Sequence, residues 1–368
     1  MSVVSPSTRR WYRRVAWPWL PLAGALFLLA GCADSRYYWQ SVHGHVQLMQ
    51  ASRPVAQWLA DPQTPEPLKE RLRLTQDIRS FAVAELGLPD NRSYRSYADL
   101  QRAAVVWNVV AAPELSLTLH TWCFVVLGCV SYRGYFDEAQ ARAQARQLQA
   151  QGLEVTVYGV PAYSTLGWLN WAGGDPLLNT FIHYPEGELA RLLFHELSHQ
   201  VLYARDDTMF NESFATAVER LGGARWLQTQ ASDGARRQYA AMESRRRDFR
   251  MLALSTRERL EKIYRNTEGL EQDELRRRKQ AAMQDFRAQY ATVKAAWGGY
   301  AGYDRWVAQA NNASLGAQAA YDALVPQFEA LFARKGGDWP AFYDAVKRIA
   351  ALPAADRRAA LAQASATP

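Results

Sequence analysis

Over most of its length the chain repeats apolar residues at helical spacing, and only in three runs do β-branched and aromatic residues crowd together as they do in strands. Residues 37–60 and the strongly amphipathic stretch 68–86 predict helices, separated by the proline-rich break DPQTPEP. The β-like runs are 103–112, 114–132 and 153–160. Between the last two lies DEAQARAQARQLQAQG, a run of good helix formers that ends on Gly152. The order strand, helix, strand predicts a small mixed sheet. Residues 162–179 look irregular, with a turn at Gly173-Gly174, and NTFIHY (179–184) looks like a short strand.

A helix should begin at Pro185-Glu186, with acids at its positive end, and run through His199. Another should span about 211–221 and stop at Gly222-Gly223. From about 226 to 283 the chain is helix-period and highly charged, which predicts long surface helices in an antiparallel hairpin turning near 266–269. The alanine-rich tail beyond Pro353 is weakly specified. The expected fold class is therefore α+β and predominantly helical, with a small mixed sheet beside the helix around His195 and long C-terminal helices. Its parts divide at about 37–225 (with the sheet), 226–353 (helical) and 354–368 (a weakly ordered tail).

Composition adds a compartment. TRRWYRR, then the apolar run VAWPWLPLAGALFLLAG, has the basic and apolar regions of an export signal, and the run is short and proline-broken for a permanent membrane helix. Leu29-Ala30-Gly31-Cys32 resembles a bacterial lipobox, which implies that residues 1–31 are a lipoprotein signal peptide and that Cys32 carries the lipid. Ala33 follows, not the aspartate that retains such proteins at the inner membrane, so the resemblance points to the outer membrane, facing the periplasm. An uncleaved N-terminal anchor is the alternative. The formal charge of +7 falls to +3 once Arg9, Arg10, Arg13 and Arg14 are removed with the signal. The remaining charges are mixed in sign, which excludes a nucleic-acid footprint. Cys123 and Cys129 are close enough to bridge if the chain turns at Gly128, and a disulfide is the expected state in an oxidising compartment. Two small buried thiols are the alternative, and no further ligand has a spacing that would make the pair a metal site.

The chemistry gathers in LLFHELSHQVLYARDDTMFNESFA, residues 192–215. His195 and His199 lie four apart, so on a helix both imidazoles share one face and can reach one cation. Glu196 sits about 100° around the helix from His195, near enough to hold a water on that cation. A core helix with two histidines by chance also fits this half of the pattern. Glu212, opening the next predicted helix, supplies a third ligand, and a set of two histidines and a glutamate leaves zinc one open position. Glu219, two turns on along the same face, is either a hydrogen-bond partner for a ligand imidazole or the rival third ligand.

HExxH followed by a helix opening Asn211-Glu212-Ser213-Phe214-Ala215 resembles the gluzincin metallopeptidases, whose aminopeptidases carry a very similar Asn-Glu-Gly-Phe-Ala. A closer resemblance, to the predicted aminopeptidase lipoproteins of proteobacteria, rests on several stretches. They are Trp107-Asn108, the run 128–136 (GCVSYRGYF), the run 162–168 (AYSTLGW), HELSHQ, FNESFA and Asn311-Asn312-Ala313. It implies a zincin-like domain over 32–368 and one Zn2+ per chain on His195, His199 and Glu212. Glu196 is then the general base, acting on a peptide substrate in the periplasm, with removal of N-terminal residues as the expected activity. The glycine-rich motif with which gluzincin aminopeptidases grip the substrate amine is not visible, so an endopeptidase remains open, as does a non-catalytic envelope lipoprotein with a structural zinc. Tyr163-Ser164-Thr165 or residues 180–184 are candidates for a strand that pairs with substrate. Tyr300, Tyr303 and His120 are candidate donors to the oxyanion, against the alternatives of packed aromatics and a surface histidine. Asn311-Asn312 either lines the cleft or forms a turn or cap.

Overall fold

The computed structural model describes residues 37–366 except 125–127, 166–172 and 266–268, with only the backbone at 319–322. Cys32, the lipobox, residues 125–127 of the expected β-run 114–132, residues 166–168 of the run 162–168 and most of the expected hairpin turn lie outside the described residues. Two compact units are distinguished, Met1–Val46 and Gln47–Pro368. In the first, the described residues are helical and expose Trp39 and Val42. Among the described residues no helix is long and apolar enough to cross a membrane.

The second unit is α+β and predominantly helical. Helix α1 covers residues 37–51 and its last turn lies in this unit. It is followed by strand β1 (Arg53–Pro54), α2 (Val55–Ala60) and α3 (Glu66–Leu86). Proline at its first turn starts α3, and Gly87, in the left-handed conformation at φ 60°, ends it with its N–H on Ala82 O. Next come β2 (Ser96–Ala98), β3 (Val106–Pro113), β4 (Trp122–Phe124), β5 (Gly128–Val130) and β6 (Arg133–Tyr135). Helix α4 (Glu138–Ala150) is capped by the Asp137 carboxylate on Gln140 N–H, and leads to β7 (Leu153–Val160).

The strand–helix–strand run gives an antiparallel sheet, β6-β3-β7, with Ala111 opposite Val155. The mixed pairing occurs elsewhere, in β1-β2-β8, where β8 is Leu177–Leu178 and runs parallel to β2. NTFIHY is not a strand. Asn179 is drawn into the β2–β3 connection, accepting from Leu100 N–H at 2.9 Å and donating to Arg102 O at 3.1 Å, and Ile182 N–H turns back to Leu178 O at 3.0 Å.

The middle of the unit is a helix pair, α5 (Glu186–Ser198) and α6 (Thr208–Thr229). Leu189, Leu193, Phe194 and Leu197 of α5 are fully buried in one apolar core with Leu177 and Leu178 of β8, so the mixed sheet does lie in the same core as the HExxH helix. Helix α6 begins at Asp207, whose carboxylate accepts Phe210 N–H at 3.1 Å. It does not stop at Gly222-Gly223. A Cβ on Gly222 would sit 2.6 Å from Leu86 Cδ1 and 3.0 Å from Phe194 Cδ2, and one on Gly223 2.7 Å from Arg191 Cγ. The glycines thus let α6 close on α3 and α5, and the close packing outweighs their low helix propensity.

Helices α7 (Asp233–Arg265) and α8 (Gln272–Ala296) form the expected hairpin. Phe249 meets Tyr290 and Arg259 meets Asp285, so the two run antiparallel around a second apolar cluster that includes Leu252, Leu260 and Phe286. Four short helices follow, α9 (Asp304–Gln309), α10 (Asn312–Asp322), α11 (Val325–Arg334) and α12 (Trp339–Ala350). The tail is also ordered, as α13 (Ala354–Ser365). Leu361 is fully buried, and Arg357 donates to Ala350 O and Leu352 O, and to Arg205 O at 3.0 Å. Alanine-rich composition hid these two anchors.

Valine at position 222 should overpack the α3–α5–α6 contact and lower stability by about 1–3 kcal/mol. Urea unfolding midpoints of Gly222→Val and of Gly234→Ala, at an open position of α7, would show a loss in the first and none in the second. Equal midpoints would mean that the close approach does not matter.

Candidate metal and catalytic site

Helices α5 and α6 run antiparallel, so that one turn of α5 after another meets α6. Arg191 lies against Gly223, His195 faces Glu219, and His199, the residue that caps α5, faces Glu212. His195 Nε2 and His199 Nε2 approach to 3.2 Å, and Glu212 Oε2 lies 3.4 Å from the first and 3.8 Å from the second. Four-coordinate zinc with bonds of about 2.0–2.1 Å holds its donors roughly 3.3 Å apart, so this triangle has the size of such a site. The three atoms form the His–His–Glu group that could hold a metal ion, and both histidines are buried.

The tautomer suits that role. His195 Nδ1 lies 2.8 Å from Glu219 Oε2, which as a carboxylate oxygen can only accept, so Nδ1 carries a proton and Nε2 is the edge turned to the group. This also separates the two acids. Glu219 faces the Nδ1 edge of the ring, away from His199, whereas Glu212 faces both Nε2 atoms. Two imidazole Nε2 edges converging with a carboxylate make a donor set that a divalent cation fits.

Burial and charge set the protonation of the group. Burial alone would lower His195, but hydrogen bonds to Glu212 and Glu219 hold it well above the usual histidine value, so a cation has to displace the proton that Nε2 shares with Glu212. Burial lowers His199 to about 4, against the pull of Glu212. Burial would raise Glu212 and Glu219, yet the histidines keep Glu212 low, and Arg191 with His195 takes Glu219 down to about 2. Glu196 goes the other way: burial lifts it to about 7, with the Glu212, Asp175 and Glu219 charges adding to the rise and His195 opposing it.

The flanking residues each have a task. Asn211 clamps the loop that leaves α5, its amide donating to Ala204 O and accepting from Ala204 N–H, both at 2.8 Å. Ser213 Oγ accepts Leu324 N–H at 3.3 Å, and Phe214 packs among Phe328, Phe342 and Tyr343. The Asn-Glu-x-Phe-Ala pattern is thus a loop clamp, a site carboxylate and a core anchor. Cys123 and Cys129 are joined as a disulfide across β4 and β5, and Cys129 N–H donates to Asp206 Oδ1 at 2.6 Å, tying that hairpin to the same loop. A Cβ on Gly128 would fall 2.2 Å from that carboxylate oxygen.

Behind Glu196 lies a polar hub that sequence reasoning missed. Asp175, 1 % exposed, accepts Thr165 N–H on both oxygens at 3.0 and 3.1 Å, and Gln200 Nε2 approaches it at 3.4 Å. Ser93 Oγ accepts from both Asp175 N–H and Gln200 Nε2 at 3.1 Å. The hub pins Ser164-Thr165 beside the HELSHQ segment. Its one legible trace is a single acid in the apolar run after Gly173-Gly174. Tyr94, at φ 62°, is held by its N–H on Asp175 O at 2.6 Å; its buried phenol oxygen has no hydrogen-bond partner among the described residues. Burial raises that phenol, with the Glu196 and Asp175 charges adding to it.

The rings of the expected oxyanion donors are packed against neighbours. Tyr303 stacks on Phe249 with ring centres 4.0 Å apart, Tyr300 lies under the Arg245 guanidinium, and His120 sits edge-on to Trp122. The phenol that senses a ligand-set carboxylate is Tyr203, pushed up to about 12 by burial, then by Glu212 and Asp206. Asn311 is a cap, its Oδ1 accepting from Ser314 N–H and Thr156 Oγ1, and Asn312 ties the start of α10 to the end of β3 by donating to Glu114 O at 2.8 Å.

A family model described as putative aminopeptidase matches residues 36–361. The chain belongs to that aminopeptidase family. No curated protein and no solved structure matches it. The matched span contains every residue of the site and the hub behind it.

Asp175 gives a pH signature. Its carboxyl titrates near about 3.9 when unfolded and is raised to about 6 in the fold by burial, with Thr165 and Ser164 hydrogen bonds opposing. Between those values the folded state binds more protons, so stability falls as pH rises from 4 to 6, by an amount on the order of 3 kcal/mol. Urea midpoints of the metal-free protein and of Asp175→Asn should diverge in the variant's favour over this window. A gap that stays constant with pH would contradict the assignment.

Proposed function

We propose that the chain is a zinc-dependent peptidase of the gluzincin kind, removing N-terminal residues from peptides. His195, His199 and Glu212 would hold one Zn2+ per chain, and the observation that carries this is their convergence, donor edges inward, beside a carboxyl raised to about 7. Zinc, when bound, supplies Lewis acidity to the scissile carbonyl and makes a water acidic enough to give up its proton near neutral pH. Glu196 takes that proton and delivers it to the leaving amine; a carboxyl that titrates near the working pH serves in both directions. Glu219 holds His195 in the tautomer that leaves Nε2 free. The Asp175 hub sets the position of Ser164-Thr165, which supports a substrate-pairing role for that segment over residues 180–184, whose backbone is turned. Tyr203, whose phenol is raised by burial and then by the Glu212 charge, joins Tyr300, Tyr303 and His120 as a candidate donor to the oxyanion.

The site of action we propose is the periplasmic face of the outer membrane, through a lipid on Cys32. The Cys123–Cys129 bond supports an oxidising compartment.

The test uses the full chain with metal content measured beside hydrolysis of peptides with free and acetylated N-termini. Wild type should carry one zinc and cleave the free peptides only. Glu196→Gln should keep the metal and lose about 10²- to 10⁴-fold in kcat. A zinc-loaded wild type that cleaves no peptide would favour a structural metal site, and equal cleavage of acetylated peptides would make it an endopeptidase.

A further inference from the structure

Glu219 does not stand alone behind His195. One of its oxygens takes the imidazole Nδ1–H, and the other accepts the Arg191 guanidinium. Both oxygens are thereby committed, so the carboxylate cannot rotate without breaking one bond. Arg191 lies one helical turn before His195 on α5 and is 5 % exposed. Its other terminal nitrogen donates to Tyr239 Oη at 3.2 Å and to Glu243 Oε2 at 3.0 Å, both on α7. Arg246 then bridges Glu243 and Glu188 at 2.6 Å each. Gly223 makes the space for this side chain, since a Cβ there would lie 2.7 Å from Arg191 Cγ. A planar, forked cation suits this place because it serves α6 and α7 at once, which a point charge on a lysine does not.

We propose that Arg191 is a positioning residue of the metal site, which acts through Glu219 to fix the ring of His195 and so raises the affinity for zinc. This rests on the metal-binding reading above and adds to it a residue that touches neither metal nor substrate. A purely structural role is the competing account, in which Arg191 only docks α7 against α5. The two differ in what they move. A docking residue changes stability and leaves the metal-site geometry to Glu219. A positioning residue changes the Kd for the metal in a protein that remains folded.

The experiment measures the Kd of metal-free full chain for Zn2+ by competition with a chromophoric chelator, together with the melting temperature of the metal-free form. Arg191→Gln should weaken zinc binding about 10- to 100-fold, the range expected when the partner network of a ligand imidazole is broken. Arg191→Lys should recover part of that loss, because the charge stays but the fork is gone. The double variant Tyr239→Phe, Glu243→Gln should melt lower and yet bind zinc much more tightly than Arg191→Gln. Should Arg191→Gln fail to fold, Gly223→Ala displaces the same side chain without removing it and should weaken zinc binding in the same direction. The proposal is overturned if a folded Arg191→Gln or Gly223→Ala binds zinc as wild type does, or if the α7 double variant loses as much affinity as Arg191→Gln. Absence of zinc binding by wild type would instead overturn the metal-binding reading itself.

Discussion

The contact between α5 and α6 sets the terms for everything around it. It brings His195, Glu196, His199, Glu212, Glu219 and Arg191 into one largely buried layer between two apolar helix faces. Charges taken out of water cost several kcal/mol each unless paired. The layer meets that cost by alternation: Glu212 against the two imidazoles, the imidazole of His195 against Glu219, Glu219 against Arg191. Each link also orients the next. The two glycines of α6 are what allow the helices close enough for such a chain to form.

Glu196 is the member left out of this pairing, and its carboxyl is correspondingly lifted. Environment has split chemically identical groups into different states: Glu212 and Glu219 are held charged, and Glu196 is poised near neutrality. A set of groups pushed apart in this way suits the acid–base roles proposed for them. The surrounding loops keep the arrangement still. Asn211 clamps the exit from α5, Asp206 receives the disulfide-closed hairpin, and Arg357 reaches back from the C-terminal helix to Arg205 and Asp207.

The sequence revealed what is local and periodic. HExxH and Asn-Glu-x-Phe-Ala carry their spacing on single helices, so the side chains that would meet were legible before any fold was known. The helical hairpin and the Cys123–Cys129 bond were legible for the same reason. What escaped depends on contacts between distant segments. Gly222-Gly223 reads as a stop locally and serves as a close-packing surface only once Leu86 and Phe194 are opposite. NTFIHY has strand composition, but Asn179 finds its partners some 77 to 79 positions earlier in the chain. Arg191 and Asp175 carry no local signal of the partners that they find on α6, α7 and at Thr165. Tyr300 and Tyr303 were chosen by residue type alone, and their ring contacts belong to the second apolar cluster.

The central claim is that His195, His199 and Glu212 share one metal ion while Glu219 stays outside its coordination. Crystals of the full chain grown with Zn2+ and recorded at the zinc absorption edge would test this directly. The account predicts one anomalous peak about 2.0–2.2 Å from His195 Nε2, His199 Nε2 and a Glu212 carboxylate oxygen, with one position open to solvent beside Glu196. A peak bonded to Glu219 in place of Glu212, or a zinc whose fourth position is closed by a further side chain, would contradict it.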